Sequence, residues 1–414
     1  MFFKKFDISL IVTVCSLQVF LFSGCATNNT KLSTGVGPSL SSSYSEQKVI
    51  NSIQPHPKLD VIIPVFDPGL PQEQDYEDEN IWPEIRRAEA NRFAYKLKEK
   101  LDETEQFGSI RVTPDRTATG DLYILGQIKE SNGEEVEVAV EVIDISNRRW
   151  LDESFDHEVS DAFHKNYRNK GKDSYDPLFE KIAAKIIEEL DDHESKELED
   201  LHYLSDIRFG ANFSDSKFMQ YIELEEDQFN LVSKPSNQDP MFRRVKAIRV
   251  RDQLFIDGLQ NNYASFSSKM NDSYLMWQSQ SLLEIKAKRS ANRKALAQAV
   301  GGAALIGLGV LAAVAGAGSN SAATQTASTL GLLAGGVGGA MLIGQSFKTS
   351  EEANVHRDTL NELGKSVDLE FAPKVIAFNK KSVELTGNAK EQFMQWRIFL
   401  QKIYSEEKTP DVQL

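Results

Sequence analysis

From Ala295 to Phe347 the chain carries no Asp, Glu, Lys or Arg, although these four residue types make up 26% of the whole. At that frequency a run of this length has a chance on the order of one in ten million, so average composition does not produce it. The run divides in two. Leu296 to about Gly316 and about Thr329 to Phe347 are both apolar, each near the roughly twenty residues that cross hydrocarbon as a helix. Between them Gly318 to Thr326 is polar but neutral. The spacing predicts a helical hairpin over 296–347. Gly331, Gly335 and Gly339 recur every four residues, with Gly344 beyond them and Gly307 on the first half. Small residues at that spacing cut a groove along one helix face and let two backbones approach. Each glycine costs about 1 kcal/mol relative to Ala in an isolated helix. Close packing is the compensation the pattern implies.

The run resembles the glycine-zipper hairpins of bacterial envelope proteins. Two readings stand: a hairpin that inserts into a membrane or packs against copies of itself, and a hairpin buried inside a soluble helical bundle. Lys286, Lys288, Arg289, Arg293 and Lys294 lie directly before it. They form either a solvated helix face or a collar at a membrane surface, where each Lys or Arg near anionic headgroups contributes about 1 kcal/mol.

The N-terminus tells where such a chain is expected to reside. Lys4 and Lys5 precede an apolar run from Ile8 to Phe22, and Ser23-Gly24-Cys25 follows. A positive end, a short apolar core and small residues before a cut make a secretory signal. The Ser-Gly-Cys ending resembles the lipobox of bacterial lipoproteins, which implies that 1–24 is removed and Cys25 is lipidated. Ala26 follows, where lipoproteins kept in the inner membrane carry Asp. The resemblance therefore implies an outer-membrane anchor facing the periplasm. Residues 25–57 are rich in Ser, Thr, Asn, Gly and Pro and read as a flexible tether. The two cysteines, Cys15 and Cys25, both lie in this N-terminal part, so the body has no thiolate metal site or disulfide framework.

Residues 58–192 predict a compact α/β domain. Leu59–Val65 is a buried strand, and a helix follows from Ile81 to Glu105. Strands come at Gly108–Pro114 and from Gly120, and Val136, Val138, Val140 and Val142 alternate with polar or small residues between Glu135 and Ile145. A partner strand runs from Trp150 to Val159, and a helix from Tyr175 to Leu190 closes the unit. The order β-α-β-β-β-β-α puts two helices on one face of one sheet. The helix motif Ala88-Glu-Ala-Asn-Arg-Phe-Ala-Tyr-Lys-Leu, then Phe107-Gly-Ser-Ile-Arg-Val and Gly120-Asp-Leu-Tyr-Ile-Leu-Gly, resembles the small α/β domain of the TolB N-terminal region, the CsgG and LpoB proteins and flagellar accessory lipoproteins. That resemblance implies a docking module for partner proteins.

Beyond it, 193–295 reads as helical without strands, with helices at Met241–Ala264 and Tyr274–Ala295 and an Asp239 cap before Pro240. The tail, 348–414, reads as a small α/β segment. It has a helix to about Leu363, short strands at Val367–Phe371 and Val383–Leu385, and a helix over Asn388–Ser405. In that helix Phe393, Trp396, Phe399, Leu400 and Ile403 form a core-facing side. The fold class expected is α+β.

No residue pattern points to a catalytic, metal or cofactor site. His157-Glu-Val-Ser-Asp-Ala-Phe-His164 places its histidines seven apart, not at the i, i+4 spacing that aims two at one ion. A net charge of −14 argues against nucleic acid as a partner. The expectation is a non-enzymatic docking or scaffold protein. It is held by lipid at Cys25 and by the hairpin, its partner an unidentified envelope protein or further copies of itself. An oligomeric pore or secretion component is the alternative.

Overall fold

A computed structural model describes residues 56–73, 76, 81–313, 351–378 and 381–406. The class is α+β, and the first elements follow in the order β-α-β-β-β-β-α. They are β1 (Val61–Pro64), α1 (Pro83–Asp102), β2 (Ile110–Thr113), β3 (Leu122–Ser131), β4 (Glu135–Asp144), β5 (Arg149–Glu158) and α2 (Asp176–Asp191). The five strands make one mixed sheet, β2-β1-β3-β4-β5. Strand β1 pairs in parallel with β2 and β3, and β3, β4 and β5 run antiparallel. The alternating valines of β4 are buried in register, Val142 opposite Ile124 and Val138 opposite Phe155. Helices α1 and α2 pack on each other, Phe93 edge-on to Phe179 with ring centroids 5.2 Å apart.

Helix α3 (Ser195–Ala211) crosses the end of the sheet where β1 starts and β4 finishes. Arg208 donates to the Ile145 carbonyl there. A hairpin, β6 (Ile222–Glu225) and β7 (Gln228–Leu231), interrupts the region expected to be all helix. Its turn residues Glu226 and Asp227 both have positive φ, 49° and 67°. Such a turn normally announces itself by Asn-Gly or Gly-Gly, and Glu-Asp gives no such signal. The hairpin is held from outside itself: Phe229 N–H bonds the Ser146 carbonyl, and the Arg208 guanidinium lies 4.1 Å from the Phe229 ring centroid.

The two helices expected at 241–264 and 274–295 are one continuous helix, α4 (Pro240–Ala313), of 74 residues. Asp239 caps it, its Oδ1 accepting from the Met241 and Phe242 N–H groups at 2.8 and 2.9 Å. The intervening Ser-Phe-Ser-Ser-Lys-Met-Asn-Asp-Ser has no Gly or Pro, and apart from Lys269 and Met270 its residues are weak helix formers. Phe266, Ser267, Met270 and Ser273 are buried there, and this packing sustains the helix.

Helix α5 (Glu351–Leu363) runs back along α4, with Ser273 Oγ 2.9 Å from His356 Nδ1. Strands β8 (Lys374–Phe378) and β9 (Lys381–Leu385) pair, and α6 (Ala389–Glu406) ends the described chain. The strand expected at Val367–Phe371 lies later, at β8. The preceding backbone is engaged by other elements: Arg87 Nε donates to Gly364 O at 2.7 Å, Asn91 Nδ2 to Val367 O at 2.7 Å, and Ala389 N–H to Leu369 O. The aromatic side of α6 is buried as expected. Trp396 stacks on Phe255 at 4.9 Å and donates to Asp252 Oδ1 at 3.0 Å.

One hydrophobic cluster runs from Leu59 to Ile403, so the α/β sheet, the helical region and the tail share a core. Helix α4 is what joins them. It closes the open β2 edge with a side chain. Gln260 Oε1 accepts from Val112 N–H and its Nε2 donates to Val112 O, both at 2.9 Å. Beside it Arg111 holds Asp257 at 2.6 Å. An unpaired edge strand is a template for aggregation, and here the amide of Gln260 occupies the place of a sixth strand. Gln260→Leu keeps the volume and orphans both Val112 groups. The expected loss is about 1–3 kcal/mol of unfolding free energy in a urea titration, with greater loss of solubility than Asp257→Ala causes.

Candidate functional site

Among the described residues, the polar chemistry concentrates where α4 crosses the α/β unit. Glu89 on α1 is fully buried. Its Oε1 accepts from Ser131 Oγ at 2.5 Å and from Tyr274 OH at 2.7 Å, while Arg86 Nε stands 3.9 Å from Oε2. Burial raises its pKa to about 7, against the lowering effects of Arg86, Ser131 and Tyr274. One turn along α1, Arg92 is also fully buried. It pairs with Asp173 at 2.8 Å, donates to the Ser267 carbonyl and Asn271 Oδ1, and lies 4.6 Å from the Tyr274 ring centroid. Gln278 completes the set, donating to Asp173 Oδ1 at 2.7 Å. The β3–β4 turn fits tightly here. Gly133 has φ +92° and its α-carbon faces Ser281 so closely that a Cβ would lie 2.5 Å from the serine Cβ.

A second cluster pins α3 and the start of α4 to the sheet. Asp121, fully buried, accepts from the Asp60 N–H at 2.8 Å, from Ser205 Oγ at 2.5 Å and from His202 Nδ1 at 2.8 Å. Arg249 reaches Asp206 at 2.5 Å and lies 3.7 Å from Asp121. The hydrogen bond to Asp121 raises the His202 pKa despite burial. Burial works to raise Asp121, but the bond and charge of His202, with Arg249 and Ser205, hold it below the usual carboxylate range. Ser, His and Asp are all present, yet the Ser205 hydroxyl bonds the carboxylate and not the imidazole. A nucleophile needs its proton taken by the base, so this arrangement ties elements together and activates no serine. Because the His202 pKa is raised in the folded state, its contribution is full at low pH and fades as pH rises through that value.

The residues singled out in the sequence are distributed as follows. Cys25, Gly331, Gly335, Gly339 and Gly344 lie outside the described residues. Gly307 lies on α4. Lys286 pairs with Asp161 at 2.6 Å, and Arg289 forms a two-pronged pair with Glu134 at 2.7 and 3.0 Å. These two basic residues therefore clamp α4 to the α/β unit. Arg293 is exposed further along, and Lys288 and Lys294 are on the same helix. His157 lies on β5 and His164 in the loop after it, and burial lowers the pKa of both. Among the described residues no group of His, Cys, Asp and Glu is arranged to hold a metal, and no helix is long and apolar enough to cross a membrane. The buried clusters leave no local pattern in the sequence, because their members are far apart in it. Glu89 and Tyr274 carry only the weak signal of polar residues on otherwise apolar helix faces. Comparison with protein-family models, with curated proteins and with solved structures gives no match.

The Glu89 contact has a measurable pH signature. Between the unperturbed value of 4.5 and about 7 the folded state holds a proton that the unfolded state has lost. Stability therefore falls as pH rises through that window and levels off above it. The expected fall is about 3 kcal/mol. Urea unfolding at pH 5 and pH 7.5 should show it in the parent protein, and Glu89→Gln should remove most of the difference.

Proposed function

We propose that this chain is a lipid-anchored envelope protein with no chemistry of its own. Its α/β body docks an envelope partner in the periplasm, and its uncharged hairpin provides a second membrane contact or a self-association surface. The observation that carries this reading is the continuity of α4. The helix is clamped to the body as far as Arg289 and continues without a break to Ala313, into the uncharged run that starts at Ala295. From Arg289 to Ala313 it extends about 36 Å at 1.5 Å per residue. A helix so placed transmits the position of one end to the other. The return path supports the hairpin: α5 lies antiparallel on α4, so the chain re-enters the body about 50 Å back from Ala313. Residues 314–350, which connect the two ends, lie outside the described residues.

The lipobox at Cys25 and the following Ala26 support anchoring in the outer membrane. The polar clusters support a structural role for the buried ionisable groups, since each is held by neighbours within the fold. The resemblance of the α/β segment to lipoprotein docking domains is the basis for assigning a protein partner to it.

Fractionation of cells carrying Cys25→Ser, with and without residues 296–347, tests the reading. The expected result is membrane association that survives loss of the lipid only when the hairpin is present. Release of Cys25→Ser into the soluble fraction with the hairpin intact would instead favour a hairpin buried in a soluble bundle. Detergent-extracted size, compared with and without 296–347, separates self-association from simple insertion, and a pore requires that the deletion shrink the assembly.

A further inference from the structure

The loop between β5 and α2 carries a charge pattern that the collar before the hairpin does not account for. His164-Lys-Asn-Tyr-Arg-Asn-Lys-Gly-Lys172 has four cations and no acid in a chain of net charge −14. Lys165, Arg168, Lys170 and Lys172 are all exposed, and none forms an ion pair with a described residue. Tyr167 stands among them with 85% of its surface exposed, the most open of the large apolar side chains described.

This loop is built to hold a shape. Two short 3₁₀ turns, Phe163–Lys165 and Tyr167–Asn169, form its backbone. Asn166 caps the second through the Arg168 N–H at 3.1 Å, and Asn169 Nδ2 bonds back to the Phe163 carbonyl at 3.1 Å. Asp161 at its start is tied to Lys286, and Asp173 at its end is locked on buried Arg92. The acids beside the loop are thus already engaged, apart from Asp272 across the groove of about 610 Å³ between loop and helix.

The placement on α4 gives the pattern direction. The loop lies against the helix face that includes Asp272, Met276 and Ser279. At 100° per residue that stripe continues through Leu283 and Lys286 to Arg293. Leu283 is 58% exposed, an apolar residue in the open one turn beyond Ser279. An aromatic anchor among unpaired Lys and Arg, with an exposed aliphatic residue on the adjoining helix stripe, is the composition of a surface that lies in a lipid interface.

We propose that the 164–172 loop, together with Leu283 and Arg293 on α4, is a docking surface for anionic lipid headgroups, with Tyr167 and Leu283 entering the interface. The proposal rests on the membrane reading of the uncharged run and adds a constraint to it. The body approaches the bilayer on one flank of α4, so the helix meets the membrane obliquely. Charge complementarity and continuity with the uncharged end of the same helix select a lipid surface over an acidic polypeptide.

Vesicle flotation of the mature chain carrying Cys25→Ser tests this. The probes are vesicles of phosphatidylcholine alone and of phosphatidylcholine with phosphatidylglycerol, at low and high salt. The expected result is tighter binding to the anionic vesicles, reduced about tenfold or more in K165A/R168A/K170A/K172A and converging with the variant at high salt. Tyr167→Ala with Leu283→Ala should weaken binding to both vesicle types. All six side chains are exposed, and unchanged circular dichroism checks that folding is retained. The same comparison without residues 296–347 separates this surface from the hairpin: the loop-dependent preference for anionic vesicles should persist. Equal anionic binding by the parent and the quadruple variant in the hairpin-less chain overturns the proposal and leaves the hairpin reading standing. So does a parent that binds polyglutamate in preference to the anionic vesicles.

Discussion

Helix α4 is longer than the body that holds it, and the rest of the structure is arranged around that fact. Its first fifty residues or so are packed on one side by the sheet edge, α1 and α3, and on another by α5 and α6. Those contacts bury Phe255, Tyr263, Met270, Tyr274 and Trp277. At roughly 1.5–3 kcal/mol for each large side chain removed from water, they are ample to hold a helix whose own composition is unremarkable. Beyond Arg289 the same helix continues to Ala313, along the start of the uncharged run. A helix of that apolar composition is ordinarily covered by a bilayer or by another protein surface.

The contact between α4 and the α/β unit is unusually polar for a surface inside a single core. Glu89, Arg92, Asp173 and Gln278 are buried in it. Such groups are expensive to desolvate and become acceptable only when paired. Here most are, through the Tyr274, Asp173 and Ser131 contacts. Some atoms remain without a hydrogen-bond partner, including Glu89 Oε2, Arg86 Nη1 and Trp277 Nε1. A half-satisfied network selects one register of the helix, since sliding α4 by a residue would break the Glu89, Asp173 and Gly133 contacts together. It also costs stability as Glu89 ionises, so the helix is held firmly in position but less firmly at higher pH.

How much of this was legible in the sequence depended on the range of the interactions. The α/β order was readable because it is written in short-range alternation, as in Val136 to Val142, and in the apolar spacing of Leu178, Ile182 and Ile186. The Asp239 cap and the buried side of α6 were local too. The continuity of α4 was hidden because Ser267, Asn271 and Asp272 look like a break unless the groups that pack on them are known. The β6–β7 hairpin was hidden by a turn of two acidic residues. The basic character of 164–172 was visible all along as four cations without an acid. What the sequence could not convey is that this loop lies on the same helix face as Leu283 and Arg293.

Helix α4 carries the body into the uncharged run as one continuous helix. The direct measurement is a pulsed electron–electron distance between spin labels at Ser268 and Leu305 in the otherwise cysteine-free mature chain. An unbroken helix predicts one narrow distribution near 55 Å, retained when the protein is bound to vesicles. A broad or markedly shorter distribution would contradict the account, because the body and the uncharged run would then be joined by a hinge.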